Sequence, residues 1–351
     1  MSDAESIERL RHIGWRGDAL PESGLRVARV VAQHRAGYEL HDGQSVFGAQ
    51  PDGHFLKRGF DPALRPVVGD FVEVEAGAPP HIRSVSPRRT VLSRGAAGER
   101  YERQIIASNI DYVFVLTGLD DDFNPARIER YLSLTEGSGA QAVVLLSKAD
   151  SGKDAANREA ELRKRLPPGT PIHALNGKDP ASAAVLAPYL RPGDSAVLVG
   201  SSGAGKSTLT NTLLGEALMA TAEVRSGDGR GRHTTTRRAL LCIPSGGCLI
   251  DTPGMRELKL TGEEDLDLFA DIAALAERCR FADCGHGSEP GCAVQTALDT
   301  GDLTPERWRN YLKLHDEREE QATALEAHLR RQRGGRSVER PHRARGARER
   351  E

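Results

Sequence analysis

Residues 200–207 read Gly-Ser-Ser-Gly-Ala-Gly-Lys-Ser, which fits G-x-x-x-x-G-K-S. The apolar run Ser195-Ala-Val-Leu-Val199 precedes it, and Thr208-Leu-Thr-Asn-Thr-Leu-Leu214 continues it as a helix. A strand, a glycine turn and a helix in that order commit this part of the chain to an α/β sheet with an anion cradle at one strand end. Gly200, Gly203 and Gly205 let backbone N–H groups turn inward, with Ser201, Ser202 and Ala204 between them and Thr208 in the following helix. Lys206 is placed to reach the β and γ phosphates of a nucleotide, and the Ser207 hydroxyl to ligate Mg²⁺.

The chain has 351 residues, 38% of them apolar, enough for two or three cores. Lys and Arg number 48 against 50 Asp and Glu, so any attraction to a polyanion must be local. It is concentrated at the ends, in the basic segment 25–95 and the Arg-rich 330–351, around an acidic centre. The longest apolar runs, Tyr112–Leu116 and Ala142–Leu146, fall far short of the ~20 residues needed to cross a bilayer. The N-terminus is acidic where an export signal is basic, which predicts a cytoplasmic protein without membrane association.

After an N-terminal extension (1–24), short apolar runs alternate with turns over 25–95, which predicts a small all-β barrel. A central α/β domain is expected over 96–258, because strands at 112–117, 142–147, 171–174, 195–200, 238–243 and 248–251 alternate with helices. One helix starts from Asn124 and Pro125 and ends near Gly137; another spans about 153–166 and stops at Pro167-Pro168. The segment 259–333 reads as a helical domain around a cysteine-rich turn. Its long helix starts at Thr304-Pro305 and runs to about 332, with Trp308, Tyr311, Leu312, Leu325 and Leu329 as apolar contacts. The tail 334–351 lacks apolar residues and is expected to be disordered.

Three further segments suit nucleotide chemistry. Asp251-Thr-Pro-Gly254 ends a strand, so Asp251 would hold Mg²⁺ through water and the Gly254 amide would sense the γ-phosphate. Between it and the phosphate loop, Gly229-Arg-Gly-Arg-His-Thr-Thr-Thr236 suits a switch loop. Either Thr234 or Thr235 could complete the Mg²⁺ shell, and His233 could approach the attacking water or stay solvated. Ser147-Lys148-Ala149-Asp150 closes a strand, where the Asp150 carboxylate is placed to accept from the N–H groups of guanine and the Lys148 stem to cover the base. Taken alone this motif is weak. It leaves open a P-loop ATPase or kinase with a structural zinc domain, or a nucleotide-gated RNA-binding module that does not hydrolyse.

Cys279, Cys284, His286 and Cys292 supply three thiolates and an imidazole within fourteen residues, the donor set of a closed, structural zinc site. Cys242 and Cys248 flank a predicted hairpin and are expected to be buried. For RNA phosphates the barrel offers Arg26, Arg29, Lys57, Arg58, Arg65, Arg83, Arg88, Arg89 and Arg94.

In ordinary small GTPases the base-reading motif follows the phosphate loop, whereas here it comes first. The order base motif, phosphate loop, switch, Asp-Thr-Pro-Gly resembles the circularly permuted GTPases. Asn109-Ile-Asp-Tyr-Val, Phe123-Asn124 with Ile128-Glu-Arg-Tyr-Leu132, Gly231-Arg-His-Thr-Thr-Thr236 and the cysteine cluster extend the likeness over about 25–325. They resemble the ribosome small-subunit-dependent GTPase family, called RsgA, YjeQ or EngC. The resemblance implies an OB-fold barrel that binds ribosomal RNA, a permuted P-loop GTPase domain, a helical zinc domain and a monomer that binds GTP and GDP. It also implies slow hydrolysis, stimulated by the small (30S) subunit during its late maturation, with Ala174 as a backbone contact to guanine. Three residues depart from the pattern: Ser147 replaces a usual Asn, His173 a usual Ser, and Met255 stands where many GTPases carry a water-orienting Gln. His233 is the substitute the resemblance favours.

Overall fold

The computed structural model describes residues 3–21, 24–96, 102–151, 154–215, 238–252 and 259–336, with side chains to 331. His233, Thr234, Thr235, Gly254 and the tail beyond 336 lie outside the described residues.

Helix α1 (Asp3–His12) buries Leu10, and the turn after it buries Ile13 and sets the Trp15 ring 5.0 Å from that of Phe71. Five strands follow: β1 (Arg26–His34), β2 (Gly37–His41), β3 (Val46–Pro51), β4 (Phe71–Glu75) and β5 (His81–Val85). Burial alternates along β2 and β4, so one face of each looks inward onto a core of Val30, Leu40, Phe55, Val72, Val74 and Ile82. The order β1-β2-β3-β5-β4 closes through a β1–β4 pairing, antiparallel except between β3 and β5. The segment Val91–Gly95, expected in the barrel, instead forms β6 of a separate hairpin with β7 (Arg103–Ser108).

The second sheet has the order β10-β9-β8-β11-β13-β12. Its strands are β8 (Tyr112–Gly118), β9 (Gln141–Ser147), β10 (Ile172–Ala174), β11 (Ser195–Gly200), β12 (Ala239–Cys242) and β13 (Cys248–Asp251). All neighbours are parallel except β12 and β13. Every residue of β11 and all but the first of β8 are buried, as strands covered on both faces must be. Helix α2 (Pro125–Glu136) starts where the Asn124 side chain accepts the Arg127 N–H at 2.9 Å. Helix α3 (Ala155–Arg165) ends before the two prolines, and α4 (Pro180–Ala183) and α5 (Lys206–Leu214) complete this unit.

Barrel and second sheet are continuous, because β12 pairs with β1 at Ala32 and Ala239. Arg29, three residues earlier on β1, is fully buried. It donates to Gly69 O of the barrel at 3.1 Å, Asn109 O at 2.8 Å, Ser195 Oγ at 2.8 Å, and Ile13 O. A guanidinium spent in this way cannot meet RNA, which corrects the sequence expectation for Arg29. The same holds for Arg88, turned inward onto Asp70 at 2.8 Å and Arg65 O at 2.7 Å. Arg26, Arg83 and Arg89 are exposed but paired with Asp42, with Asp52 and Glu75, and with Asp111, and Lys57 and Arg58 are exposed as well.

The remaining helices are α6 (Ala270–Ala276), α7 (Ala293–Thr300) and α8 (Pro305–Arg336). Helix α8 passes through Gly334-Gly335 and so overruns the expected stop near 332. Trp308, Tyr311 and Leu314 pack it inward, whereas Leu312 and Leu329, expected as contacts, are exposed. Helix α8 is bound to α2 through Glu129, which is fully buried and accepts from Arg165 and Arg307 at 2.8 Å each.

Candidate active site and metal centre

The phosphate loop lies at the C-terminal end of β11, between β8 and β13, where open α/β sheets bind their ligands. Glycine is required at position 200, because a Cβ there would sit 2.3 Å from Leu116 O of β8. Gly203 and Gly205 hold φ of +89° and +96°, a backbone that side-chain-bearing residues avoid. Lys206 Nζ donates to Gly200 O at 2.8 Å and Ser201 O at 2.6 Å. An ammonium has three donors, so one remains for a phosphate oxygen. Burial lowers the Lys206 amine to about 8, opposed by the charges of Asp251 and Asp122.

Ser147 ends β9 and Asp150 follows three residues later, exposed at the rim. The Ser147 hydroxyl is 2.6 Å from Ala204 O of the phosphate loop and 3.2 Å from Thr117 O. The base motif and the phosphate loop therefore touch, although 57 residues separate those two positions in the chain. Lys148 holds φ of +60° and pairs with Asp120 at 2.6 Å. Ala174 ends β10 opposite Leu146, and Ala149 N donates to Leu175 O at 3.3 Å, so the two loops expected around guanine adjoin. His173 faces away, 2.9 Å from the Tyr189 hydroxyl. Asp251, fully buried, ends β13 in register with Leu198, and the Thr252 hydroxyl donates to Leu198 O at 2.7 Å.

Sequence reasoning missed Asp122. Its carboxylate accepts from Ser201 Oγ at 2.6 Å and Gly118 N at 3.2 Å, and pairs with Arg127. One loop thus braces both ends of the site, through Asp120 on Lys148 and Asp122 on the phosphate loop. The available signal was an Asp120-Asp121-Asp122 run at the C-terminal end of a parallel strand.

In the segment between α6 and α7, the ligand atoms of Cys279, Cys284, His286 and Cys292 all lie within 4.8 Å of one another. Tetrahedral zinc, with Zn–S of about 2.3 Å and Zn–N of about 2.0–2.1 Å, sets sulfurs about 3.8 Å apart and sulfur from nitrogen about 3.6 Å. The observed Cys279–Cys292 separation is 3.9 Å, and His286 Nδ1 stands 3.5 and 3.6 Å from those two sulfurs. The donor set fits a four-coordinate zinc. The His286 ring meets Trp308 of α8 edge to face at 5.8 Å, which ties this centre to the long helix. Cys248 is buried as expected, but Cys242 is exposed, a correction to the sequence reading.

A family profile described as RsgA GTPase matches residues 85–261. The small ribosomal subunit biogenesis GTPase RsgA of Xanthomonas euvesicatoria pv. vesicatoria is 52% identical over 322 residues, 88% of each chain. The chain belongs to the RsgA GTPase family. The RsgA of Xanthomonas axonopodis pv. citri is 53% identical over 332 residues, 90% of this chain and 91% of its own. Among solved structures, YjeQ from Thermotoga maritima aligns with a TM-score of 0.58 at 25% identity, over 83% of this chain and 98% of that one. YloQ, a circularly permuted GTPase, aligns with a TM-score of 0.56 at 22% identity, over 87% and 98%, a likeness of fold. The RsgA permutation accounts for the base motif on β9 preceding the phosphate loop after β11. Among the described residues no helix is long and apolar enough to cross a membrane.

Proposed function

We propose that this chain binds GTP between Asp150 and Lys206, hydrolyses it, and couples that cycle to late maturation of the small ribosomal subunit in the cytoplasm. The observation that carries the reading is the Ser147–Ala204 contact, which brings a base motif and a phosphate cradle together as one purine nucleotide requires.

Asp150 accepts the N1–H and exocyclic amine of guanine, with Lys148 over the base and Ala174 beside it. Adenine offers neither donor pattern and leaves the carboxylate unpaired. The amides of Gly200 to Ser207 and the third donor of Lys206 hold the phosphates, with Thr208 in the first turn of α5. Ser207, Asp251 and Thr235 or Thr234 would hold Mg²⁺, which neutralises charge on the β and γ phosphates. The Gly254 amide registers the γ-phosphate, and His233 orients the attacking water where Met255 cannot. Cys279, Cys284, His286 and Cys292 would hold one structural zinc. The chain past Asp251 leads directly into the zinc-bearing unit, so order imposed there by γ-phosphate reaches a partner-binding surface. Lys57 and Arg58 are exposed cations on the barrel suited to ribosomal RNA phosphates.

Equilibrium binding of non-hydrolysable GTP and ATP analogues tests the base assignment. The guanine analogue is expected to bind more tightly, and Asp150→Ala to erase the difference. Tighter binding of the ATP analogue contradicts the proposal.

A further inference from the structure

We propose that Cys242 and Cys248 form a modification site, a dithiol that a peroxide converts reversibly to a disulfide within the β12–β13 hairpin. The two residues stand directly opposite one another on antiparallel strands, with their sulfurs 4.0 Å apart. One step further on, Ile243 N donates to Gly247 O at 2.7 Å, while Cys248 N turns away to Asp194 O at 2.9 Å. The cysteines therefore occupy a non-hydrogen-bonded pair, where facing Cα atoms come within about 4.5 Å. That separation lies inside the span of a disulfide. Cys242 is exposed and Cys248 buried, so an oxidant reaches one sulfur while the other waits behind it.

Arg29 supplies the second element. Four of its hydrogen bonds go to neutral acceptors, three carbonyls and a hydroxyl. A hydrogen bond from Cys242 and the nearby Arg29 guanidinium hold the Cys248 thiol below its ordinary value against the effect of burial. A sulfur that ionises this readily beside a second thiol is the arrangement found in redox-responsive cysteines.

The steps balance with one hydrogen peroxide. Cys242, whose thiol is pushed up by its hydrogen bond to Cys248 and by burial, passes its proton to the Cys248 thiolate as its sulfur attacks a peroxide oxygen; the O–O bond breaks, a sulfenic acid forms, and the released hydroxide takes that proton back from Cys248 and leaves as one water. The Cys248 thiolate then attacks that sulfur; the S–O bond breaks, and the departing hydroxide takes up a proton as the second water. Two thiols are oxidised and one peroxide is reduced. An added dithiol reverses the change through a mixed disulfide.

The test treats the full-length protein with hydrogen peroxide at a dose that oxidises Met255, followed by alkylation, trypsin and mass spectrometry. The tryptic peptide 239–256 carries both cysteines, no others, and Met255 as an internal control. The expected product lacks the mass of two hydrogens and takes up no alkylating agent. Dithiothreitol restores two alkylatable thiols, and Cys242→Ser, a change at an exposed position, prevents the mass loss. Two alkylated cysteines beside an oxidised Met255, a sulfinic acid at Cys242, or a bond from Cys242 to a cysteine of the metal cluster would each overturn the proposal.

Discussion

Ser147 Oγ lies 2.6 Å from the carbonyl oxygen of Ala204, so the end of β9 is held directly against the phosphate loop. A hydroxyl has one proton to give. The nearer of its two acceptors takes it, leaving Thr117 O at 3.2 Å as the weaker contact. A single short side chain thus ties the Ser147–Asp150 motif directly to the glycine-rich loop.

Ser147→Ala removes that proton from a buried setting and strands the Ala204 carbonyl. The expected cost is about 1 kcal/mol, roughly fivefold in GDP affinity. Isothermal titration of GDP into wild type and variant measures it, and equal affinities would refute the bracing role.

Lys206, lowered to about 8 in the absence of nucleotide, must carry its proton to hold phosphate. GTP binding above that pH should therefore draw in a proton and weaken as pH rises. Calorimetry at pH 8.5 in two buffers of different ionisation enthalpy should register uptake; identical heats would contradict it. The sign for folding follows from the same shift. Between about 8 and the ordinary lysine value the unfolded chain binds more protons, so nucleotide-free stability rises with pH across that window.

Glu129 is fully buried between Arg165 and Arg307, whose side chains are 10% and 8% exposed. Glu129→Gln removes the buried anion that the two guanidiniums share, leaving Arg307 with Asp271 at 2.8 Å and Arg165 with Glu306 at 3.3 Å and Glu161 at 3.4 Å, and should destabilise the fold by ~1–3 kcal/mol. Chemical denaturation monitored by circular dichroism reads this directly. An unchanged midpoint would mean that the α2–α8 connection carries little of the stability.

The four-ligand cluster should hold about one zinc per chain. Cys284→Ser should lower that content and destabilise the surrounding turn, since structural zinc supplies on the order of 10 kcal/mol to small segments. Elemental analysis together with thermal melts separates the outcomes. Full zinc content in the variant would remove Cys284 from the ligand set.

Much of this architecture was legible in local sequence. The glycine spacing at 200–205, the cap at Asn124 and the unbroken apolar runs of β8 and β11 each determine a backbone within a few residues. The metal cluster is readable for the same reason, because its donors fall within one turn-rich segment. Arg29 was misread because nothing beside it in the chain reveals that Ile13, Gly69, Asn109 and Ser195 converge on it. Asp122 went unnoticed because its partner Ser201 lies 79 positions away. The join between β1 and β12 is of the same kind, a pairing across the whole chain that no local pattern encodes.

The most direct test of the functional account is GTP turnover by the purified chain, alone and titrated with small ribosomal subunits, with large subunits as control. The account predicts that small subunits alone raise turnover, by more than about tenfold, and that Lys206→Ala abolishes the rise. Equal turnover in all three conditions, or stimulation by large subunits to the same degree, would contradict it.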